Sequence, residues 1–348
     1  MTGRIRQNVR GLTAYTPGEQ PRQSGLVKLN TNENPYPPSP RVAEALARLE
    51  PGDLRRYPDP TCAEIREIAG RLHGVSPDRV FVANGSDEAL ALCTRAFVED
   101  DGTIGYFDPS YSLYPVLAAI RNVLGVAVPL PADFGWPEGP VPDGSLFFLC
   151  NPNAPTSRLF PKDVVERFCA AYPGVVLIDE AYVDFAAGHC MDLAVTLPNV
   201  IVLRTLSKAY SLAGIRLGYV VGPADLIGAL FKIKDSYNVN RLTQAAAAAA
   251  LSDAAYMRRN VARIRATRAR LGDELGRRGF EVVPSETNFL WARPRREAAR
   301  AVYEQLKALG ILVRYFPGAR TGDFVRITVG SDEEIDRLLA ALPEGKDT

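Results

Sequence analysis

From residue 79 onward, short apolar runs of strand length recur: RVFVA (79–83), TIGYF (103–107), SLFFLC (145–150), VVLID (175–179), VIVLR (200–204) and LGYVV (217–221). Several are nearly continuous in Val, Ile, Leu and Phe, which predicts strands covered on both faces, as in a parallel sheet flanked by helices. Between them lie segments with helical spacing, EALALCTRAF (88–97), YSLYPVLAAI (111–120) and KDVVERFCAAY (162–172). The alternation predicts a large, doubly wound, mainly parallel α/β domain over 41–245. Helices are expected near 40–50, with Pro40 at the start, and over 61–73, where Thr61 and Glu64 have capping-box spacing. Residues 1–40, rich in Pro, Gly and Asn, read as an extended arm. A smaller α+β domain is expected over 246–348. It opens on the helical run AAAAAAL and a longer helix over 254–278, whose Met257, Val261, Ile264, Leu271 and Leu275 share one face. Strand-like FEVVP, NFLWAR, ILVRYF and FVRITVG follow, with helices near 296–309 and 332–342.

The charges change the picture only by exclusion. Among 348 residues, 41 Lys and Arg oppose 40 Asp and Glu, a net charge of +1. Such balance argues against nucleic acid or an anionic membrane as a whole-surface partner. The window 255–280 holds eight arginines against Asp273 and Glu274. They spread around the helix without interleaved aromatics, as on a solvated face. The 2 histidines are too few for a histidine-built zinc site and fit a Ser-His-Asp mechanism poorly. The 5 cysteines, odd in number and without a CxxC, argue against a disulfide framework or a cysteine-rich metal site and fit a reducing cytoplasm. No metal is expected. The segment MTGRIRQNVRG lacks the apolar core of a signal peptide, and no apolar run reaches the ~18 residues that span a bilayer.

The candidate chemistry lies directly after the strand-like runs, where open α/β sheets bind ligands. RVFVA leads into Asn84-Gly85-Ser86-Asp87, TIGYF into Asp108-Pro109-Ser110-Tyr111, SLFFLC into Asn151-Pro152-Asn153-Ala154, VVLI into Asp179-Glu180-Ala181-Tyr182, and VIVLR into Thr205-Leu206-Ser207-Lys208. Gly85-Ser86-Asp87 opens a helix and suits a phosphate, although Ser and Asp are also ordinary caps. Asp179, after four apolar residues, is costly to bury without a cation or several donors; the alternative is an internal salt bridge. Lys208, beyond a buried strand, is a candidate nucleophile or base, the alternative being a surface lysine. Arg204 and Arg216, with Ser207, could hold a phosphate. By default, Tyr111 and Tyr182 are core aromatics. A lysine for a Schiff base, an acid for a pyridine nitrogen and a phosphate anchor together suit pyridoxal phosphate.

On NVRGLTAYTPG, LNTNENPYPPSP, RYPDP, NGSDEAL, DPSYSLY, NPNAPTS, IDEAYVDF, RTLSKAYSLAGIRLGY, NFLWAR, ILVRYF and VRITVGSDEEID, the chain resembles the fold-type-I, class-II pyridoxal-phosphate-dependent aminotransferases. The resemblance covers nearly the whole chain and is strongest to the branch acting on histidinol phosphate. It implies an amino-group transfer between L-histidinol phosphate and 2-oxoglutarate or glutamate, in histidine biosynthesis, by a cytoplasmic homodimer with shared sites. Lys208 would form the Schiff base, Asp179 would pair with the ring nitrogen and Tyr182 with the phenolic oxygen. Tyr111 would stack on the ring. Gly85, Ser86, Asp87, Ser207 and Arg216 would hold the phosphate, and Tyr57 would reach it from the neighbouring subunit. Asn153 is a further cofactor contact, and Tyr15, Asn32, Arg314 and Arg326 would face the substrate. The family pattern PNNPTG reads PNAPTS here, so Ala154 stands where a second Asn would contact the phenolic oxygen and Ser157 where a turn would carry Gly. An aromatic amino acid aminotransferase, a threonine-phosphate decarboxylase and a non-catalytic module are the alternatives on this fold. A nucleotide-binding α/β protein is weakened by the lack of GxGxxG or a P-loop.

Overall fold

The computed structural model describes residues 3–21 and 23–343. Its first strand, β1 (Val27–Lys28), lies outside the main sheet. That sheet comprises β2 (Val80–Ala83), β3 (Thr103–Asp108), β4 (Leu124–Pro129), β5 (Leu146–Cys150), β6 (Val175–Asp179), β7 (Val200–Thr205) and β8 (Gly218–Val221). Its order is β2-β8-β7-β6-β5-β3-β4. From β4 across to β7 the neighbours run parallel, and β8 is antiparallel to both its neighbours. β4 lies outside the predicted runs. It is a mostly exposed edge strand, interrupted by Gly125 and ended by Pro129, a composition suited to an edge.

Side chains alternate across the sheet and build two apolar layers. Val176, Ile178, Val200 and Val202 face one layer, with Ile65 and Phe147. Leu177, Ile201 and Leu203 face the other, with Phe81, Leu90 and Phe148. Helix Arg241–Leu251 joins the first layer through Ala246, Ala247, Ala248, Ala250 and Leu251. Helix Ala63–His73 starts differently from expectation. Cys62 adopts a left-handed conformation, and the Asp59 carboxylate accepts from the N–H groups of Ala63 at 2.7 Å and Thr61 at 2.8 Å. The aspartate occupies the helix start, and the Thr61–Glu64 capping box does not form.

The C-terminal strands are β9 (Phe280–Val282), β10 (Phe289–Pro294), β11 (Ile311–Leu312), β12 (Arg314–Tyr315) and β13 (Val325–Thr328). Four form an antiparallel sheet in the order β12-β13-β10-β9, while β11 pairs in parallel with β1. Helix Ala254–Arg277 buries all five residues expected on its apolar face. The amino-terminal segment carries a short helix, Gln7–Arg10, and its apolar residues divide, Ile5 and Val9 being exposed. Val27 and Leu29 are fully buried among Val302, Ile311, Val325 and Ile335. Leu29 N–H donates to Leu312 O at 2.8 Å, and its carbonyl accepts from Thr328 N–H at 3.0 Å. Burial of β1 therefore anchors residues 30–34 beside the carboxyl edge of the main sheet.

Leu29→Ala should lose about 2–4 kcal/mol in denaturant unfolding, the usual cost of emptying a core leucine. A loss under about 0.5 kcal/mol, as at a surface position, would contradict this anchoring.

Candidate active site

The loops beyond β2, β3, β5, β6 and β7, with residues 15–20 and 30–32 and the segment after β12, line a cavity of about 440 Å³. Strand alternation decides which polar residues enter it. Asp179 and Thr205 line it. Their chain neighbours Glu180 and Arg204 pair with each other at 2.8 Å away from it, and Arg204 also meets Asp184 at 3.4 Å. Arg204 is therefore spent on buried carboxylates and cannot serve the phosphate role open to it in the sequence.

Asp179 is 3% exposed. Its carboxylate accepts from Tyr114 Oη at 2.8 Å and from Ala181 N–H at 3.1 Å. Among the described residues, no cation lies within ion-pair distance of it. Burial dominates and raises its pKa to about 6, against the lowering effect of the two donors. Lys208 also lines the cavity and donates to Thr31 O at 3.2 Å. Burial, then the nearby Arg326, lowers its pKa to about 8. One cavity thus holds a carboxylate without a cation and an amine without a directly bonded anion.

At another wall, Ser86 and Asp87 open helix Ser86–Phe97, whose first N–H groups and dipole favour an anion. Asp87 accepts from Tyr111 Oη at 3.2 Å and faces Arg216 at 3.4 Å. Close approach requires glycine twice. Gly85 has φ +85°, and a Cβ there would lie 2.6 Å from Arg216 Nη2; a Cβ on Gly218 would lie 2.7 Å from Ser86 N. Ser207 Oγ accepts from Thr205 Oγ1 at 3.0 Å. The Tyr182 hydroxyl accepts from Asn32 Nδ2 at 2.9 Å, and burial raises its pKa.

Two arginines enter from the C-terminal unit. Arg326 Nη2 donates to Asn30 O at 2.9 Å, while among the described residues its buried Nε has no hydrogen-bond partner. Its guanidinium lies 5.2 Å from the rings of Phe289 and Phe316, and burial lowers its pKa. Arg314 donates to Thr16 O at 2.8 Å and Pro17 O at 3.2 Å. It thereby ties down the segment carrying Tyr15, whose ring meets Tyr111 edge-on at 5.8 Å.

The structure brings Lys208, Asp179, Tyr182, Ser86, Asp87, Tyr111, Ser207, Arg216, Tyr15, Asn32, Arg314 and Arg326 to this cavity. It does not bring Asn153. That side chain is fully buried in its loop, donating to Pro109 O at 3.0 Å and Thr156 Oγ1 at 2.8 Å and accepting from Ser110 Oγ at 2.6 Å. Ala154 reaches the lining instead. Ser157 takes the turn conformation a Gly would take, with φ +64°, while its hydroxyl donates to Thr156 O at 2.6 Å. Tyr57 lies outside the cavity of its own chain, 77% exposed and stacked on Tyr237 at 4.3 Å. Sequence reasoning missed Tyr114. It lies three residues after Tyr111, a spacing that puts both on one side of the chain's helical turn.

The family described as aminotransferase class I and II matches residues 24–342. Histidinol-phosphate aminotransferase 2 of Burkholderia mallei is 46% identical over 345 residues, covering 97% of each chain. The histidinol-phosphate aminotransferase of Syntrophotalea carbinolica is 44% identical over 98% of this chain and 99% of its own. Among solved structures, histidinol-phosphate aminotransferase of Sinorhizobium meliloti, in complex with pyridoxal-5'-phosphate, superposes with a TM-score of 0.88 at 29% identity, covering 99% of this chain and 97% of that one.

Asp179's raised pKa has a definite sign. Its ionised form is a burden on the ligand-free fold, absent below the unfolded value near 3.8 and fully present above about 6. Asp179→Asn should therefore stabilise the ligand-free protein at pH 8 by about 2–3 kcal/mol and leave it unchanged below pH 4. Urea unfolding of both proteins across this range checks it; equal stability at pH 8 would contradict it.

Proposed function

The chain belongs to the class I and II aminotransferases, and from that membership we propose that it moves an amino group between L-histidinol phosphate and 2-oxoglutarate, with pyridoxal phosphate as cofactor. The cavity fits the cofactor on its own chemistry. A buried carboxylate lacking a cation suits a protonated ring nitrogen, a buried amine suits a carbonyl carbon, and a helix N-terminus with Arg216 suits a phosphate. Pyridoxal phosphate, when bound, supplies an electron sink that acidifies the hydrogen on the carbon bearing the amino group.

The protein's own groups do the rest. Lys208 would hold the cofactor through Nζ and, as a free amine lowered to about 8 by burial and Arg326, can take and return a proton near neutral pH once that bond is released. Asp179 stays ionised against the ring nitrogen, Tyr182 serves the phenolic oxygen and Tyr111 covers the ring. Gly85, Ser86, Asp87, Ser207 and Arg216 hold the phosphate end. Asn153 acts one step back, bracing the loop that presents Ala154.

Arg326 carries the substrate assignment. It is a guanidinium lining the same cavity as Lys208, and among the described residues its buried Nε has no hydrogen-bond partner. Such a group binds a phosphate or a carboxylate through paired charge-assisted hydrogen bonds. Together with Arg314 it serves the phosphate of one substrate and the carboxylates of the other. Tyr15 and Asn32 complete that wall, and Tyr15 closes it against water. The exposed Tyr57–Tyr237 stack supports a homodimer in which each Tyr57 serves the neighbour's phosphate site. Five buried free thiols support a reducing cytoplasm. Among the described residues, no helix is long and apolar enough to cross a membrane.

With 2-oxoglutarate as acceptor, histidinol phosphate should exceed unphosphorylated histidinol by about a hundredfold in kcat/KM, the worth of two charge-assisted hydrogen bonds at about 1.5 kcal/mol each. Equal use of the two, or a preference for phenylalanine or tyrosine, would overturn the phosphate assignment. Arg326→Lys keeps the charge but loses the fork, and should raise KM for both substrates about tenfold. Borohydride should fix the cofactor to the peptide containing Lys208.

A further inference from the structure

Tyr114 takes no part in the roles assigned above, yet it stands between them. It is fully buried in helix Leu113–Arg121. Its ring stacks on Phe148 at 4.8 Å and 21°, and Tyr111 meets it edge-on at 5.5 Å and 88°. Its one polar side-chain atom donates to Asp179 Oδ2 at 2.8 Å. Tyr111 in turn donates to Asp87, which faces Arg216. A continuous set of contacts thus runs from Arg216 and Asp87, through the two tyrosines, to Asp179.

We propose that Tyr114 is a positioning residue for the reaction: its hydroxyl holds the Asp179 carboxylate in place and ionised, while its ring backs Tyr111. The proposal rests on the aminotransferase reading for its catalytic consequence. The hold on Asp179 rests on geometry alone.

The physical case begins with the carboxylate. Asp179 sits at the end of a strand buried on both faces and is only 3% exposed, so the donors to its carboxylate come chiefly from the protein. The backbone supplies one, Ala181 N–H to Oδ1. Oδ2 has the tyrosine. Ionisable groups that interact with Asp179 include Asp87, Glu180, Cys150, Tyr111 and Tyr182, and Lys208 lines the same cavity. Among the described residues, none of these donates to its oxygens. Losing the Tyr114 hydroxyl would leave Oδ2 without its donor inside the protein, and a buried carboxylate short of a donor favours its protonated form. The hydroxyl does not itself compete for the role of acid, since burial and the neighbouring Asp179 both raise its pKa.

The test is Tyr114→Phe, which removes one oxygen and keeps the ring. In the full chain freed of cofactor, the protonation midpoint of Asp179 should rise by about one pH unit, the worth of a single hydrogen bond to a charge. The deficit of Tyr114→Phe in urea midpoint should therefore grow between pH 5 and pH 8. The same change made in Asp179→Asn should show a deficit that does not vary with pH. In the loaded enzyme kcat should fall about tenfold, as with other residues that orient a catalytic group from behind, while KM for the amino donor stays within twofold. A deficit independent of pH and equal in both backgrounds would overturn the proposal and leave Tyr114 as packing. The cofactor-free arm reports on the tyrosine whatever the substrate, so its failure is distinct from failure of the aminotransferase reading, which the donor panel decides.

Discussion

The site depends on a buried carboxylate that its own chain does not neutralise. Asp179 ends a central strand, is 3% exposed and has two hydrogen-bond donors but, among the described residues, no cation within ion-pair distance. Burial of such a charge is tolerated only where function repays it. One residue beyond that strand, the chain shows the ordinary solution. Glu180, also buried, is matched by Arg204 at 2.8 Å. Two adjacent acids with opposite treatment, separated by strand alternation, mark which side of the sheet is structural and which awaits a ligand.

The remaining features follow from keeping that cavity polar yet closed. Lys208 sits on the next strand's loop, where burial and Arg326 hold its amine near a pKa of 8. The anion wall, with Ser86, Asp87 and Arg216, is possible because Gly85 and Gly218 carry no Cβ. The opposite wall comes from the C-terminal unit and from residues 15–20 and 30–32. These are joined by the β1–β11 pairing and by Arg314 on the carbonyls of Thr16 and Pro17. That wall is therefore assembled from the two ends of the chain, whereas Asp179, Lys208 and the anion wall come from its middle.

Much of this was legible in the sequence, for identifiable reasons. Continuous apolar runs marked the central strands, and polar residues directly after them marked Asp179, Lys208 and the helix start at Ser86 and Asp87, which line the cavity. The runs end where the sheet ends, and function collects there. What escaped depends on contacts that local pattern does not carry. Arg204 looked available for a phosphate because only the fold shows Glu180 and Asp184 claiming it. Asn153 looked like a cofactor contact because only loop closure shows its amide spent on Pro109 and Thr156. Asp59 displaced the Thr61 cap, and Tyr114 was absorbed into a helical pattern that treats any aromatic as core. Val27 and Leu29 find their partners near residue 311, a separation at which periodicity says nothing.

The central claim is that Asp179 is an ionised partner for a protonated ring nitrogen. The most direct measurement is the ¹⁵N resonance of ring-labelled pyridoxal phosphate bound to the wild-type protein and to Asp179→Asn at pH 8. A pyridinium shift in the wild type and a neutral-pyridine shift in the variant are expected. A neutral ring nitrogen in the wild type, or the same shift in both, would contradict the account.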